Sequence, residues 1–325
     1  MSEVDLATDT SIHTLKHLLD TNNFFDQRGK TAKLVFPERW LHIDPMGLSM
    51  IAAWGAWCLR NGKKVEIPKI TKVSNYAARM KIFDHLKIPH NSHIKEREEA
   101  GRFMPVTNVR NSNDIKGVIA DISTLLHLQS DLEALATVQY CMSELLRNVL
   151  EHSSSPDGAY VCAQNYRGTG PHRVTLAVAD CGIGITKHLG HSYPEVLKND
   201  LLALRMAMFP GITGALRGAY GTTENAGAGL FITRCIAKGL GGYFALVSGK
   251  AAYRLRRSRV KEQIVLSTDP FVDRSDQWEL PFHWQGTAVA IEMPVDKIED
   301  FRGLFDWIRK EIPPQRHISK KVRFT

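Results

Sequence analysis

The fold of this chain is decided by one stretch, Glu144-Leu145-Leu146-Arg147-Asn148-Val149-Leu150-Glu151-His152. It consists of helix-compatible residues, lacks Pro and Gly, and ends where Ser153-Ser154-Ser155-Pro156 begins, so it predicts a helix. Glu144, Asn148 and His152 recur every four residues and therefore share one face. A carboxylate one turn before a carboxamide suits activation of water and coordination of a hard cation. On these residues alone, an amphipathic helix with a solvated polar edge is the simpler interpretation.

Three further motifs follow this helix along the chain. A strand-like run ends in Asp180-Cys181-Gly182-Ile183-Gly184. A glycine-rich stretch, Gly221-Thr222-Thr223-Glu224-Asn225-Ala226-Gly227-Ala228-Gly229-Leu230, opens a helical pattern that continues to Lys238. The last motif is Gly286-Thr287, which begins the strand Ala288 to Met293.

Each motif has a physical interpretation of its own. Asp180 closes a buried strand, where its carboxylate can accept a hydrogen bond from an exocyclic amine. Gly182 and Gly184 allow the backbone to approach a flat ring closely. Exposed amides at Gly227-Ala228-Gly229, directly before a helix, suit a triphosphate. A strand-end Asp that caps a turn and an ordinary polar loop remain open as alternatives.

In this order the four motifs resemble those of the Bergerat-fold (GHKL) ATPases, which include histidine kinases, anti-sigma serine kinases, gyrase, Hsp90 and MutL. The resemblance extends from about Asp114 to the C-terminus. It implies that the protein binds ATP with Mg²⁺, with Glu144 as the catalytic residue and Asn148 as the metal ligand. The cofactor-binding positions that it implies are Asn148, Asp180, Gly182, Gly184, Thr222, Thr223, Gly227, Ala228, Gly229, Leu230 and Thr287.

The N-terminal third predicts a second unit. Residues 1–28 are polar and predict a flexible lead-in, whereas strands and helices alternate over residues 29–105, as in a small α/β domain with parallel strands. This unit resembles a STAS domain, in which an Asp-Ser-Ser-Gly-Leu type of loop precedes the first helix. Here that loop is Asp44-Pro45-Met46-Gly47-Leu48, so the phosphoacceptor serine is missing and Ser49 lies two residues beyond the glycine. A generic α/β cap explains the pattern equally well.

We therefore predict an α/β (α+β) protein with two domains, a STAS-like unit and a Bergerat-fold α/β sandwich over residues 106–325. Within the second domain, residues 185–226 correspond to an ATP lid and residues 250–285 form a basic insertion. The insertion contains several cationic and aromatic residues, namely Arg254, Arg256, Arg257, Arg259, Lys261, Trp278 and Trp284. Such a hairpin can contact nucleic acid, although a solvated hairpin is the simpler interpretation.

Composition sets the broad class. A hydrophobic fraction of 43% with 23% charged residues is typical of a soluble globular protein. Five cysteines without a Cys-x-x-Cys pair argue against a disulfide framework or a zinc site and favour a reducing cytoplasm. The apolar run from Met50 to Leu59 is too short to span a bilayer, so we expect no membrane partner. A net charge of +8 permits an acidic partner.

The functional prediction is a Mg²⁺- and ATP-binding protein that acts as a regulatory protein serine/threonine kinase or ATPase on a protein partner. One alternative is an ATP-gated protein-binding switch without phosphotransfer, and another is a nucleic-acid-associated ATPase that uses the basic insertion. No His followed by Glu or Asp and then Pro marks a phosphoacceptor helix, which argues against a sensor histidine kinase. The sequence leaves a homodimer open.

Overall fold

The chain folds as a mixed α/β protein in the computed structural model. The structure describes residues 2–90, 102–125, 132–167, 172–212, 228–257, 266–297 and 301–310. In these ranges the strands form a three-stranded parallel sheet, a two-stranded parallel pair and a five-stranded antiparallel sheet. The three-stranded sheet and the two-stranded pair belong to the N-terminal third of the chain, and the five-stranded sheet belongs to the remainder.

The N-terminal third begins with a strand rather than with a flexible segment. Its elements are β1 (Ser2–Asp5), β2 (Asp9–Thr10), α1 (Leu15–Thr21), β3 (Thr31–Val35), β4 (His42–Ile43), α2 (Pro45–Arg60), β5 (Lys64–Glu66), α3 (Asn75–Arg79) and α4 (Ile82–His85). The larger parallel sheet has the order β1-β3-β5, and β2 pairs with β4.

The prediction of a flexible lead-in over residues 1–28 is wrong, because β1 and α1 both lie within it. Strand β1 pairs with β3, and Val4 and Leu6 are buried in the core. Helix α1 adds Leu15, Leu18 and Leu19 to the same core. Apolar residues at these intervals fill the core, although the segment is polar on average.

The remainder of the chain forms the five-stranded sheet and its covering helices. Its elements are β6 (Phe103–Val109), α5 (Ser112–Leu125), α6 (Leu132–His152), β7 (Ala159–Tyr166), β8 (Arg173–Asp180), α7 (Gly184–Gly190), α8 (Asp200–Ala207), α9 (Gly229–Gly239), β9 (Tyr243–Leu255), β10 (Ser275–Pro294) and α10 (Phe301–Lys310). The strand order is β6-β7-β8-β10-β9. The predicted boundary at residue 105/106 falls inside β6, so the five-stranded sheet begins a few residues earlier, at Phe103.

The two faces of the five-stranded sheet carry side chains of different size, because neighbouring residues of a strand point to opposite faces. Toward the N-terminal third, strands β8, β9 and β10 present alanines: Ala177, Ala179, Ala245, Ala288 and Ala290. The face toward α6 and α9 carries larger residues: Leu176, Val178, Leu246, Val289 and Ile291. The alanine face lets a helix approach the sheet closely.

Helix α2 occupies this alanine face and belongs to both halves of the chain. The Ser49 hydroxyl donates to the Ala177 carbonyl across 3.4 Å, and the Cys181 thiol donates to the Ala53 carbonyl across 3.1 Å. Residues 45–58 of α2 are all buried, which explains the continuous apolar run in the sequence. Because Ser49 is fully buried, a kinase cannot reach its hydroxyl in this conformation.

Two tryptophans of the predicted basic insertion lie in the core. Trp284 is 1% exposed, and its ring meets the edges of Phe24 at 5.3 Å and Phe25 at 5.1 Å between centroids. Trp278 is also buried. Neither ring is available to stack on a nucleic-acid base, so this part of the nucleic-acid interpretation is wrong.

Trp284→Ala should destabilise the protein by about 3–5 kcal/mol, because it leaves a cavity between the N-terminal third and the sheet. Urea unfolding measures this change in the free energy of unfolding. The matched control is Trp40→Ala, since Trp40 is 59% exposed and its removal should change stability by no more than about 0.5 kcal/mol. Equal losses in the two variants would contradict the assignment of Trp284 to the shared core.

Candidate functional site

Helix α6 carries the first pair of candidate residues on the face that lies next to α9. Glu144 is only 9% exposed and Asn148 is half-buried, so a solvated polar edge does not describe these positions. Burial raises the pKa of Glu144, and the Arg147 guanidinium, 3.8 Å from its Oε1, partly opposes this shift. The amide nitrogen of Asn148 is buried without a hydrogen-bond partner among the described residues. Both groups therefore have hydrogen-bonding or proton-binding capacity that the local structure leaves unused.

The start of α9 meets these two residues. A Cβ atom on Gly229 would lie 2.4 Å from Glu144 Oε2 and 3.5 Å from Asn148 Nδ2, so a side chain here would displace the end of the Glu144 side chain. The close approach places the carboxylate and the carboxamide beside the first turn of α9. The amides of that turn have no partner within the helix, and the helix dipole makes this end positive. The first turn of α9 therefore attracts anions, whereas the neighbouring Glu144 carboxylate repels them when it is ionised.

Asp180 ends strand β8 and carries the second notable group of the site. Its carboxylate is completely buried. One oxygen, Oδ1, accepts a hydrogen bond from the Gly182 amide across 2.6 Å, and the backbone of Thr287 also donates to the carboxylate. The other oxygen, Oδ2, is buried and has no partner in the described part of the chain. Burial raises the pKa of Asp180 to about 7, although the hydrogen bonds from the two backbone donors lower it in part.

Glycines surround Asp180 because backbone approaches the carboxylate from two sides. Gly286 has φ +87°, and a Cβ there would lie 2.3 Å from the Asp180 carbonyl and 2.7 Å from Oδ1. A Cβ on Gly182 would lie 2.0 Å from the carbonyl of Ser153, at the end of α6. The Ile183 amide donates to that same carbonyl across 2.7 Å. These contacts fix the loop after β8 to the C-terminal end of α6.

Ser248 is a site residue that sequence reasoning missed. Its hydroxyl donates to the Gly286 carbonyl across 2.7 Å and accepts from the Ile185 amide across 2.9 Å, so it joins the two glycine-containing loops. Gly184 adopts a left-handed backbone conformation, with φ +77°, that favours glycine, and a Cβ there would lie 2.9 Å from Ser248 Oγ. The signal in the sequence is a hydroxyl residue directly after the apolar run of residues 244–247. The hydroxyl residue can be read from the sequence, whereas its hydrogen-bond partners cannot.

The structure gathers most of the predicted residues around α6. Thr287 lies half-buried next to Gly286 and pairs in register with Ser248. Ala228 and Leu230 flank Gly229 at the start of α9. The Asp180 loop contacts Ser153, which is about 14 Å along the helix axis from Glu144. The predicted residues Thr222, Thr223 and Gly227 lie outside the described residues.

A pair of histidines lies on the same side of α6. The rings of His152, on α6, and His188, on α7, have centroids 4.6 Å apart. Burial lowers the pKa of His152, and burial together with the neighbouring histidines His152 and His191 lowers that of His188 to about 4. We therefore expect both rings to be neutral at pH 7. In the ranges that the structure describes, no group of three or more His, Cys, Asp or Glu residues could hold a metal ion.

The described part of the predicted lid, residues 185–212, is folded around a small core of its own. Helices α7 and α8 and the short turn between them bury Leu189, Val196 and Ala203. Asp200 fixes this unit, because its carboxylate accepts from the Thr186 hydroxyl and, across 2.6 Å, from the Lys250 amide. Residues 213–226 of the predicted lid are outside the described ranges.

Two described arginines of the predicted basic insertion, Arg254 and Arg256, are engaged within the protein. Arg254 and Arg256 both pair with Asp276, and Arg254 also donates to the Ile12 carbonyl across 3.3 Å. These contacts neutralise part of the positive charge that suggested a nucleic-acid surface. Of the three remaining cations of the run, Arg257 is described and half-buried, whereas Arg259 and Lys261 fall in a range that the structure does not describe.

Comparisons with known proteins add no family assignment. No family model matches the chain, and no curated protein matches it. Among the described helices, none is long and apolar enough to cross a membrane. The functional argument therefore depends on the geometry of the site.

Asp180→Asn should change how stability depends on pH. The unfolded chain releases the Asp180 proton near the ordinary pKa of 3.8 and the folded protein near 7, so the folded state holds more protons between these values. The free energy of unfolding of the parent should therefore fall, relative to the variant, as the pH rises from 3.8 to about 7. The total change is at most about 4 kcal/mol. Urea unfolding at several pH values measures it.

The comparison with the Asn variant isolates this one group. Burial also raises the pKa of Asp44 to about 6, but Asp44 is present in both proteins, so its contribution cancels. Parallel stability curves for the parent and the variant would contradict the raised pKa of the buried Asp180.

Proposed function

We propose that this protein binds an adenine nucleotide together with Mg²⁺ in a Bergerat-like domain formed by residues 106–325. The observation that carries the proposal is Asp180 Oδ2, a fully buried carboxylate oxygen without a partner in the described part of the chain. Leaving such an acceptor unsatisfied costs about 1–3 kcal/mol. A ligand that donates an N–H to it removes this cost, and the exocyclic amine of adenine is such a donor.

The surroundings of Asp180 suit a flat base. Gly182, Gly184 and Gly286 surround Asp180 without side chains of their own, and each packs against neighbouring protein atoms. Thr287 adds a half-buried hydroxyl beside them. Guanine carries a carbonyl where adenine carries its amine, so it would set one acceptor against another. We therefore propose that adenine is preferred.

The start of α9 suits the phosphate end of the nucleotide. Ala228, Gly229 and Leu230 form the first turn, whose free amides and positive helix dipole attract phosphate oxygens. The carboxylate of Glu144 lies beside the same turn and would repel a phosphate. A divalent cation bound between the two would remove this repulsion, and Asn148, whose Nδ2 is the atom near Gly229, would have to turn its carboxamide to supply an oxygen ligand.

For the reaction, we propose transfer of the terminal phosphoryl group of ATP to water or to a protein hydroxyl, with its bond to the bridging oxygen broken and ADP as the leaving group. Glu144 would accept the proton of the attacking hydroxyl, since its burial raises its pKa toward the range of a general base. Its position beside Asn148 would keep that hydroxyl close to the bound cation. A regulatory protein serine/threonine kinase and an ATPase differ here only in the attacking group.

A second candidate function is an ATP-gated protein-binding switch. It is favoured by the direct contact between the Asp180 loop and α2, in which the Cys181 thiol bonds to the Ala53 carbonyl. We propose that the N-terminal third is STAS-like, supported by its parallel strands and by the Asp44 loop that caps α2 through the Gly47 amide. Nucleotide binding at the Asp180 loop would then alter the contacts of α2. A nucleic-acid ATPase has less support, because Trp278 and Trp284 are buried.

Asp180→Ala should weaken ATP binding by roughly 1–3 kcal/mol, because it removes the acceptor for the base amine. Isothermal titration with ATP and GTP in the presence of Mg²⁺ measures this, and the parent should prefer ATP by at least about ten-fold. Asp180→Asn retains a carbonyl acceptor of the same shape and should lose less affinity than Asp180→Ala. Equal affinities of the parent for ATP and GTP would exclude the adenine assignment.

Glu144→Gln and Asn148→Ala should have different effects on nucleotide binding and on turnover. A general base acts during the chemical step, so Glu144→Gln should bind nucleotide normally and lose turnover by roughly 10²–10⁴-fold. A metal ligand acts already in the bound state, so Asn148→Ala should weaken Mg²⁺-dependent nucleotide binding as well. Nucleotide titration and phosphate release measure the two effects.

The control is Glu151→Gln, an exposed carboxylate on the same helix that should change neither quantity. A parent that binds nucleotide but neither hydrolyses it nor transfers phosphate would favour the switch. If Glu144→Gln turned over like the parent, Glu144 would not be the base.

A further inference from the structure

Residues 266–273, which precede β10, contact two helices of the candidate site. We call this segment the brace. It carries two carboxylates four residues apart, and each reaches a different helix. Asp269 binds Arg205 of α8, in the predicted lid, whereas Asp273 binds Arg234 of α9. The predicted basic insertion thus contributes acidic contacts to the site.

The contact with α8 is a two-pronged ion pair. Arg205 Nε donates to Asp269 Oδ1 across 3.0 Å, and Arg205 Nη2 donates to Oδ2. The guanidinium also lies over the ring of Phe271, 5.3 Å from its centroid. The hydrogen bonds from Arg205 lower the pKa of Asp269. A planar pair of this kind fixes the orientation of α8 as well as its distance.

The contact with α9 is buried. Arg234 is 0% exposed, and its guanidinium donates to Asp273 and to the Ser267 carbonyl. Lys238, one turn further along α9, donates to the same carboxylate. Removing one member of a buried ion pair is strongly destabilising, because it leaves the other charge unpaired. This contact therefore ties α9 firmly to the brace.

The brace itself is held against β9. The hydroxyl of Tyr253 donates to the Pro270 carbonyl across 3.0 Å, and its ring stacks on Phe271 with an interplanar angle of 6°. Asp269 caps the turn by accepting from the Phe271 amide across 3.0 Å. A segment fixed in this way can pass a displacement from one helix to the other.

We propose that the brace couples α8 to α9 and thereby positions Gly229 against Glu144, with Arg205 and Asp269 as positioning residues. Arg234 lies five residues after Gly229, so a shift of α9 at Arg234 moves its first turn relative to α6. Coupling of this kind is reciprocal, so a ligand at the start of α9 also stabilises the position of α8. The effect on ligand affinity rests on the function proposed above, whereas the coupling between the helices does not.

The test is hydrogen exchange in Asp269→Asn, with Asp276→Asn as the matched control. The side chains of Asp269 and Asp276 are both 21% exposed, and each accepts hydrogen bonds from arginine. Asp276, however, binds Arg254 and Arg256, which lie in and just beyond β9. In Asp269→Asn the amides of α8 and of the first half of α9 should exchange at least about three-fold faster than in the parent, whereas Asp276→Asn should leave them unchanged.

Arg205→Gln removes the same contact from the other side and should reproduce the result. The double variant Arg205→Gln/Asp269→Asn should then exchange no faster than either single variant, since only one interaction is lost. Both substituted side chains are partly exposed, so the variants should fold. Acceleration confined to α8, or equal effects of Asp269→Asn and Asp276→Asn, would overturn the coupling.

Titration with a fluorescent ATP analogue and Mg²⁺ adds a second readout. Asp269→Asn should bind the analogue about 3–10-fold more weakly than the parent, as expected if its position couples α8 to α9. Asp276→Asn should bind it with an affinity within about two-fold of the parent's. If the parent binds no nucleotide, the proposed function fails and the exchange rates of α9 still decide the coupling. If the parent binds and Asp269→Asn binds equally well, the positioning role is wrong.

Discussion

The contact between α6 and α9 is the constraint on which the candidate site depends. A Cβ on Gly229 would lie 2.4 Å from Glu144 Oε2, so the backbone of α9 lies close to Glu144 and Asn148. The same helix α6 holds the Asp180 loop at its other end, where the Ser153 carbonyl accepts from the Ile183 amide. A single helix of 21 residues thus sets the spacing between the two ends of the site. A helix is stiff over this length, so the spacing does not depend on any loop.

The arrangement also separates the chemistry at the two ends. At one end a buried carboxylate, Asp180, combines a satisfied oxygen with an unsatisfied one. At the other end the positive first turn of α9 lies beside a carboxylate, Glu144, whose pKa is raised by burial. The first environment selects a neutral donor, whereas the second attracts negative charge. One elongated ligand with a neutral donor end and an anionic end satisfies both.

Local sequence patterns were sufficient for the regular elements around the site. The periodicity of α6, the apolar run of β8 before Asp180 and the glycines at Gly229 and Gly286 all predict features that the structure contains. Patterns failed where long-range contacts decide. The 1–28 segment is polar on average, yet β1 pairs with β3 across 30 residues of sequence. Trp284 is buried because Phe24 and Phe25, from the N-terminal third, pack against its ring.

Ion pairs were the least predictable part of the molecule. Arg205 and Asp269 are 64 residues apart in sequence, and Arg234 and Asp273 are 39 apart. Nothing in the local pattern indicates which carboxylate meets which cation, so the insertion could be described only by its excess of arginine. In the fold, the acidic residues of the same insertion link two helices. Charge composition alone therefore could not indicate this role of the segment.

The alanine face of the five-stranded sheet has a consequence for the evolution of the chain. Ala177, Ala179 and Ala288 are small because α2 lies directly on them, and a larger side chain at any of these positions would push the helix away. Conversely, the sheet without α2 would expose a broad apolar surface to water. The two halves are therefore not interchangeable modules that recombination could shuffle as separate cassettes. Residues on either side of this contact are expected to change together, and a relative that lacks the N-terminal third would need a different covering or polar residues on that face.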